Sequence, residues 1–214
     1  MTKNKETIMV FCAHSDDEVI GVGSTIAKYV KEDKEVITVI FSFGEMSSPW
    51  LRKDILIKER VNEAKKIGKF IGCKQVYFLG VEDLNFEVDV EKKNIKEKVK
   101  NLMLKYKPVK VFTHSSLDPH KDHKIVSRVI EEALDLIQKD IPLFAFEIWN
   151  IKNETHPRMY VDVSETFNKK IEAIKKFKSQ RHYTYPLLIP VYVKARIIGL
   201  LNGYKYGERF YKIR

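Results

Sequence analysis

The chain has few of the features that mark secreted or membrane-spanning proteins. Only two cysteines occur among its 214 residues, and both Cys12 and Cys73 lie within apolar stretches. No run of about 18 or more apolar residues is present, and the polar segment from Met1 to Glu6 does not resemble a signal peptide. We therefore predict two buried thiols rather than a disulfide, no membrane span, and a soluble cytoplasmic protein.

Internal repeats, low-complexity segments and linkers are also absent from the sequence. Apolar residues make up 44% of the chain and aromatic residues 11%, which is enough to form a core and argues against disorder as the dominant state. The length is that of one domain rather than two. We therefore predict a single domain over residues 1–214.

The charge is unbalanced, with a formal net charge of +10. Such an excess can indicate a protein that binds nucleic acid. The basic residues are interleaved with acidic ones, however, as in Lys58-Glu59-Arg60, and such mixing is typical of a solvated charged surface. We favour the solvated surface and keep a basic nucleic-acid-binding protein as the alternative from a different class.

Apolar runs typical of buried strands alternate with segments of helical spacing. The runs Thr7 to Ala13 and Val36 to Phe43 are continuous rather than alternating, which favours strands that are buried on both faces. This order predicts a three-layer α/β/α fold with a mostly parallel sheet. The predicted strands cover residues 7–13, 36–43, 76–79, 109–113, 144–149 and 159–163, and the predicted helices cover 18–30, 54–71, 90–106, 123–138, 165–178 and 190–202.

Two polar segments follow predicted strands, where the ligand crevice of such a sheet lies. The first is Ala13-His14-Ser15-Asp16-Asp17-Glu18, directly after the first strand. The second is Asp118-Pro119-His120-Lys121-Asp122-His123, which follows the fourth strand and opens a helix. Three of the six histidines of the chain lie in these two segments.

The acids of the first segment are hard to explain by helix capping. An N-cap accounts for one aspartate, but several adjacent carboxylates at a buried strand end repel each other and lose hydration. A divalent cation would offset that cost. Zinc suits imidazole and carboxylate ligands, although Fe(II), Co(II) or Mn(II) could take such a site. Spacing does not settle which residues ligate, but His14 and Asp17, three apart across a strand-to-helix turn, can reach one point, and Asp16 would then remain free to act as a base.

These segments resemble the LmbE/PIG-L family of zinc-dependent N-deacetylases, whose pattern is Ala-His-Pro-Asp-Asp-Glu followed later by His-x-Asp-His. The first segment departs from it only by Ser15 in place of proline, and the second is complete as His120-Lys121-Asp122-His123. The similarity extends over nearly the whole chain. It includes Arg60 with Glu63-Ala64, Ser179-Gln180, and Gly203 through Phe210.

The resemblance implies a Rossmann-like fold and a catalytic zinc ion, Zn2+. By correspondence with the family motifs, His14, Asp17 and His123 would hold the metal. Asp16 would be the general base that takes a proton from the attacking water. The loss of proline at Ser15 removes no ligand.

The resemblance also implies roles for residues outside the ligand set. His120 would stabilise the oxyanion, and Asp122 would orient His120. Arg60 is predicted from the resemblance to contact substrate or brace the site. Glu45 and Asp83 are singled out by position instead: both follow predicted strands, so each could hydrogen-bond sugar hydroxyls or be an ordinary turn or capping residue. His114 ends the fourth strand and is predicted to be a packed or capping histidine rather than a further ligand.

The predicted function is removal of an N-acetyl or other acyl group from an N-acetylglucosamine-type sugar or glycoconjugate. An amidase acting on a thiol-sugar conjugate is the alternative within the same fold. A metal-stabilised binding protein without turnover is disfavoured because a structural zinc site has no use for a free carboxylate such as Asp16. The expected partner is a small N-acetylated molecule, and homo-oligomers are common in the family.

Overall fold

A sheet of seven strands forms the centre of the computed structural model, which describes residues 5–46, 52–148 and 155–214. Helices separate most of the consecutive strands along the chain. The strands are β1 (Thr7–Cys12), β2 (Glu35–Ser42), β3 (Gln75–Val81), β4 (Lys110–His114), β5 (Leu143–Phe146), β6 (Arg158–Asp162) and β7 (Gly207–Lys212). The α-helices are α1 (Asp17–Lys31), α2 (Lys53–Ile71), α3 (Phe86–Lys92), α4 (Ile95–Tyr106), α5 (Lys121–Ile137), α6 (Phe167–Lys175) and α7 (Arg181–Leu201).

The strand order places one crevice at the middle of the sheet. The order is β3-β2-β1-β4-β5-β7-β6, with β1 to β5 parallel and β7 antiparallel to both of its neighbours. The chain runs outward from β1 to β3 and then returns to the other side of β1 as β4. The carboxyl ends of β1 and β4 therefore flank the switch point, where ligands bind in open α/β sheets.

Each face of the sheet has its own hydrophobic core. Successive residues of a strand point to opposite faces, so Ile8 and Val10 of β1 pack on one side and Met9 and Phe11 on the other. Helices α1, α2, α6 and α7 contribute to the first core, and α3, α4 and α5 to the second. The predicted mostly parallel, three-layer α/β fold is confirmed.

Several predicted elements differ from the structure. The predicted helix 90–106 is two helices, α3 and α4, and α7 begins at Arg181 rather than at Pro190. Proline lacks a backbone N–H and is favoured in a first helical turn, yet α7 contains both Pro186 and Pro190. β7 was not predicted, because a buried acid, Glu208, interrupts its apolar pattern. Trp149, the end of a predicted strand, lies outside the described residues.

The two cysteines are both free, as predicted. Cys12, the last residue of β1, is buried, whereas Cys73 is only half-buried. One described helix, α7, has the length and apolar composition that could cross a membrane. This is weak evidence, because the apolar helices of soluble proteins pass the same test. The prediction of no membrane span therefore stays a prediction.

A buried carboxylate connects β7 and α7 to the end of β5. Glu147 accepts hydrogen bonds from Arg209 at 2.9 Å and from the Tyr211 hydroxyl at 2.8 Å, and Lys194 of α7 lies 2.5 Å away. Burial raises the pKa of Glu147, but the charges of Lys194 and Arg209 outweigh that effect and hold the pKa below its ordinary value. The ionised carboxylate therefore stabilises the folded state.

We expect Glu147→Gln to lower the free energy of unfolding by about 2–3 kcal/mol at pH 7, because two basic side chains lose their partner. A carboxyl whose pKa is depressed by folding contributes stability above its ordinary pKa of 4.5, and this contribution disappears as the pH falls through the lowered value. Urea denaturation at several pH values should therefore show the largest difference from wild type at neutral pH. Glu172→Gln, at an exposed position of α6, is the control. A difference that grows towards acid pH would contradict this assignment.

Candidate metal centre

Three potential metal ligands converge at the switch point of the sheet. His14 and Asp17 follow β1, and His123 lies in the first turn of α5 after β4. Because β1 and β4 are paired in parallel, their carboxyl ends meet. One ligand atom of each residue lies within 4.8 Å of the others. The structure thus brings together the three residues for which the sequence predicted metal binding.

Asp17 is the centre of this group. Its Oδ2 atom lies 3.5 Å from Nδ1 of His14 and 3.5 Å from Nε2 of His123, and it accepts the backbone N–H of His14 at 2.9 Å. Burial raises the pKa of Asp17, but the charges of His123 and His114 hold it well below its usual range. Asp17 is therefore an anionic oxygen ligand in a buried position.

The donor set fits a divalent transition metal. Two imidazoles and one carboxylate form the three-ligand set typical of catalytic zinc sites, which keep one position open. Burial lowers the pKa of His14, but the carboxylates of Asp122 and Asp17 outweigh this effect and raise the pKa to about 10. Burial also lowers the pKa of His123, but the carboxylates of Asp17 and Asp118 raise it to about 9. The carboxylates around His14 and His123 therefore stabilise positive charge where a metal cation would bind.

Asp16 lies in the same cavity without belonging to the three-residue group. Its backbone has φ of 145°, a region that L-residues rarely adopt, and its N–H donates to Oε2 of Glu18 at 3.0 Å. Strained backbone of this kind concentrates at functional sites. Burial and the neighbouring Asp17 raise the pKa of Asp16 to about 7, against the opposing charge of Arg60. Asp16 can therefore hold or release a proton near neutral pH.

His120 is the N-cap of α5. Its Nδ1 accepts the backbone N–H of Asp122 at 3.2 Å, so the neutral ring carries its proton on Nε2. Burial and the nearby His123 and His14 lower the pKa of His120, which favours this neutral form. The ring lines the cavity and offers an N–H donor there.

The position of Asp122 corrects one prediction. Its carboxylate was expected to orient His120, but Oδ2 lies 4.0 Å from Nδ1 of His120 and only 3.2 Å from Nε2 of His14. The backbone amide of Asp122 already occupies Nδ1 of His120. The carboxylate of Asp122 therefore contacts a predicted ligand instead, and the backbone amide orients His120.

Two residues lie behind His123: Asp118, which was not predicted as part of the site, and His114, which was predicted as a packed or capping histidine. Asp118 is fully buried, and its Oδ1 lies 3.0 Å from Nδ1 of His123. His114 is fully buried and stacks on His123 at 3.8 Å between ring centroids. Together with His123 they form a second group whose spacing could suit a metal, but Nε2 of His114 accepts the N–H of Ala13. We interpret both as supports for His123, and the packed histidine predicted at His114 fits this arrangement.

We expect Asp118→Asn to weaken zinc binding by about tenfold. Carboxylates that hold a ligating histidine typically contribute between about 10- and 100-fold to metal affinity, and asparagine keeps an oxygen acceptor but not the charge. Competition with a chromophoric chelator measures the dissociation constant. Asp140→Asn, at an exposed position after α5, is the matched control. Unchanged affinity in Asp118→Asn would mean that this carboxylate does not support His123.

The three residues predicted to contact substrate differ in their positions. Arg60 is buried, lines the cavity, and donates to the carbonyl of Gly44 and to the hydroxyl of Ser15. It thereby braces the loops after β1 and β2, and Gly44 is required because a Cβ there would collide with the guanidinium. Asp83 also lines the cavity, 4.0 Å from Nε2 of His14.

Of the two roles predicted for Glu45, the structure favours the turn residue over contact with a sugar. Its side chain is buried, and it is not among the described residues that line the cavity. Oε1 of Glu45 lies 3.4 Å from the backbone nitrogen of Asp83 as hydrogen-bond acceptor. A loop position after a strand does not reveal whether an acid faces the crevice or packs beneath it, and here the acid packs beneath it. Glu45 supports the turn that carries Asp83.

The cavity that contains this site has a volume of about 460 Å³, within the range of small-molecule sites. Its lining combines the candidate ligands with residues from the start of α7. The lining residues are His14, Asp16, Asp17, Ile20, Gly44, Arg60, Asp83, His120, His123, Ile148, Gln180, His182, Tyr183, Pro186 and Leu187.

Fold and site together define an α/β protein with a His-Asp-His group that could hold a metal ion, placed at the switch point of a Rossmann-like sheet. The family model described as GlcNAc-PI de-N-acetylase, PIG-L, matches residues 9–134. The chain belongs to this family.

Characterised relatives in sequence have more than one activity. The chain is 25% identical over 202 residues to 4-oxalmesaconate hydratase of Pseudomonas putida, covering 85% of this chain and 77% of that protein. It is 23% identical over 213 residues to diacetylchitobiose deacetylase of Thermococcus kodakarensis, covering 91% and 78%. In structure, 4-carboxy-2-hydroxymuconate hydratase from Pseudomonas putida matches with a TM-score of 0.85 at 22% identity, over 98% of this chain and 96% of that one.

Proposed function

We propose that the protein is a metal-dependent hydrolase that removes an N-acetyl group from an amino sugar or glycoconjugate. The observation that carries this proposal is the convergence of His14, Asp17 and His123 in one cavity that also contains Asp16. Membership of the PIG-L family and the similarity to a diacetylchitobiose deacetylase support the choice of an amide substrate. We further propose that the metal is zinc.

Different residues of the chain have different roles in amide hydrolysis. His14, Asp17 and His123 would hold the ion, which supplies Lewis-acid activation of water and of the carbonyl when it is bound. Asp16, which is not one of the three ligands, accepts the proton of the attacking water. It then passes this proton to the departing nitrogen, so that an acid and a free amine leave.

His120 supplies a hydrogen bond to the carbonyl oxygen. Because Nδ1 accepts a backbone N–H, the Nε2–H group is the donor that remains for substrate. A neutral donor fixed by a helix N-terminus can stabilise the charge that develops on that oxygen. This differs from the role of a charged imidazolium, since the pKa of His120 is lowered by burial and by the adjacent histidines.

A hydratase is the second candidate. The similarity to 4-oxalmesaconate hydratase favours it, because that relative is 25% identical over most of the chain. The same site could hold a water and a base for addition to a carbon–carbon double bond, in which the water oxygen bonds to one carbon and its proton goes to the other. The two activities differ in whether a C–N bond is broken.

The test is a substrate panel with the protein loaded with zinc, with and without chelator. The panel contains N-acetylglucosamine, diacetylchitobiose, a thiol-sugar amide, and 4-oxalmesaconate. Release of free amine that chelation abolishes and zinc restores would support the proposal, and the best substrate would separate a deacetylase from a thiol-conjugate amidase. Hydration of 4-oxalmesaconate without release of amine from any amide would overturn the proposal in favour of the hydratase.

A further inference from the structure

A second cavity lies beside the candidate metal centre. It has a volume of about 540 Å³, which is also within the range of ligand-binding cavities. Ile20, Ile148 and Leu187 line both cavities, so the two spaces adjoin at these three apolar side chains. A molecule held at the metal centre could therefore extend into the second cavity, which we call the α7 cavity.

One face of α7 forms a long wall of the α7 cavity. Leu187, Val191, Ala195 and Ile198 all line it and recur every three or four residues, so they lie along one side of the helix. At about 1.5 Å per residue, this wall extends about 16 Å from the shared boundary at Leu187. The cavity is thus elongated along α7, and most of that wall is aliphatic.

The charged residues of the α7 cavity are paired with each other. Lys170 lies 2.7 Å from Glu208, and Glu147 lies 2.9 Å from Arg209 and 2.5 Å from Lys194. These five are the charged side chains among the described residues of its lining. An anionic ligand would compete with the two carboxylates for their basic partners, at a cost in buried charge. An aliphatic chain needs no such exchange and gains from the apolar wall.

We propose that the α7 cavity binds an unbranched aliphatic chain of the substrate whose amide lies at the metal centre. This inference rests on the proposed function, which it makes more specific. Two sources carry the same chemistry: an acyl chain on the sugar nitrogen, or an alkyl chain attached as the aglycone. Both would run from the shared boundary at Leu187 along the aliphatic wall of α7.

The test compares short and long chains on one sugar. Each methylene that leaves water contributes a factor of about four in affinity, the equivalent of about 0.8 kcal/mol. We therefore expect octyl N-acetylglucosaminide to have a KM at least about tenfold below that of the methyl glycoside if the chain is an aglycone. If the chain is the acyl group, N-octanoylglucosamine should show this advantage over N-acetylglucosamine. The pair of compounds that shows the lower KM for the long chain identifies whether the bound chain is the aglycone or the acyl group.

A pair of variants on α7 locates the effect. Val191→Trp fills the α7 cavity with an indole and is expected to bring the ratio of long-chain to short-chain KM close to one. Ile189→Trp places the same side chain on the same helix at an exposed position outside both cavities and should leave the ratio unchanged. If both variants keep the wild-type ratio, the chain binds elsewhere and the inference is overturned.

Calorimetric titration of the metal-free protein with the same compounds separates this inference from the proposed function. Tighter binding of a long-chain compound without release of amine from the zinc-loaded protein would reject the hydrolase and keep the chain site. Release of amine with equal KM and equal affinity for short and long chains in both arms would keep the hydrolase and reject the chain site.

Discussion

Asp16→Asn is expected to lower kcat by about 10²–10⁴-fold, the usual contribution of a general base, with little loss of bound metal. Asparagine has nearly the same shape as aspartate but cannot accept a proton from water. Asp16 lines the cavity but lies outside the group formed by His14, Asp17 and His123, so its carboxylate is available for proton transfer. The measurements are kcat with the best substrate of the panel and zinc content by atomic absorption.

The control is Asp135→Asn, which makes the same chemical change at an exposed position of α5, where 73% of the side chain is accessible. It should retain wild-type kcat. Two results for Asp16→Asn would oppose the assignment in different ways. Wild-type turnover would remove Asp16 as the base, and loss of zinc together with activity would make it a ligand.

His123→Ala is expected to abolish stoichiometric zinc binding and activity together. His123 is buried, its Nε2 faces Asp17, and its Nδ1 faces Asp118. Alanine removes the imidazole that lies between these two carboxylates, and with it a metal ligand. We expect zinc affinity to fall by more than about 100-fold, the upper end of the loss for a residue that only holds a ligand in place. Zinc affinity from chelator competition and the rate of amine release are the two readouts.

His156→Ala is the control for that variant, because His156 is exposed and lies outside the cavity. Circular dichroism checks that the His123→Ala chain is folded before its metal is measured. Retention of zinc at wild-type affinity by a folded His123→Ala protein would show that His123 is not a ligand, and the proposed centre would then need a different third residue.

Much of the candidate site could be predicted because its residues are close together in sequence. His14, Asp16 and Asp17 follow one strand and His120 to His123 follow another, and parallel strand order brings two such segments to one edge. Asp118 was given no role, and His114 was predicted only as a packed or capping histidine, because their contacts with His123 are not visible from spacing. The sequence also could not show that the carboxylate of Asp122 contacts His14 rather than His120.

The parts of the fold that were missed have separate physical causes. β7 contains a buried acid, Glu208. Its carboxylate accepts hydrogen bonds from the backbone N–H groups of Ser24 and Thr25 and forms an ion pair with Lys170. A polar residue satisfied by distant partners looks like a surface residue in the sequence. The early start of α7 was hidden by its two prolines. Residues from the first part of α7 line both cavities, so a helix predicted to begin only at Pro190 gave no indication of the α7 cavity beside the metal centre.

Anomalous diffraction at the zinc absorption edge, from crystals grown with zinc, tests the central claim most directly. We predict one strong peak between His14, Asp17 and His123, with nitrogen and oxygen ligands at about 2.0–2.2 Å and Asp16 not coordinated. A zinc ion bound elsewhere, or a peak at this position coordinated by fewer than two of these three residues, would contradict the account.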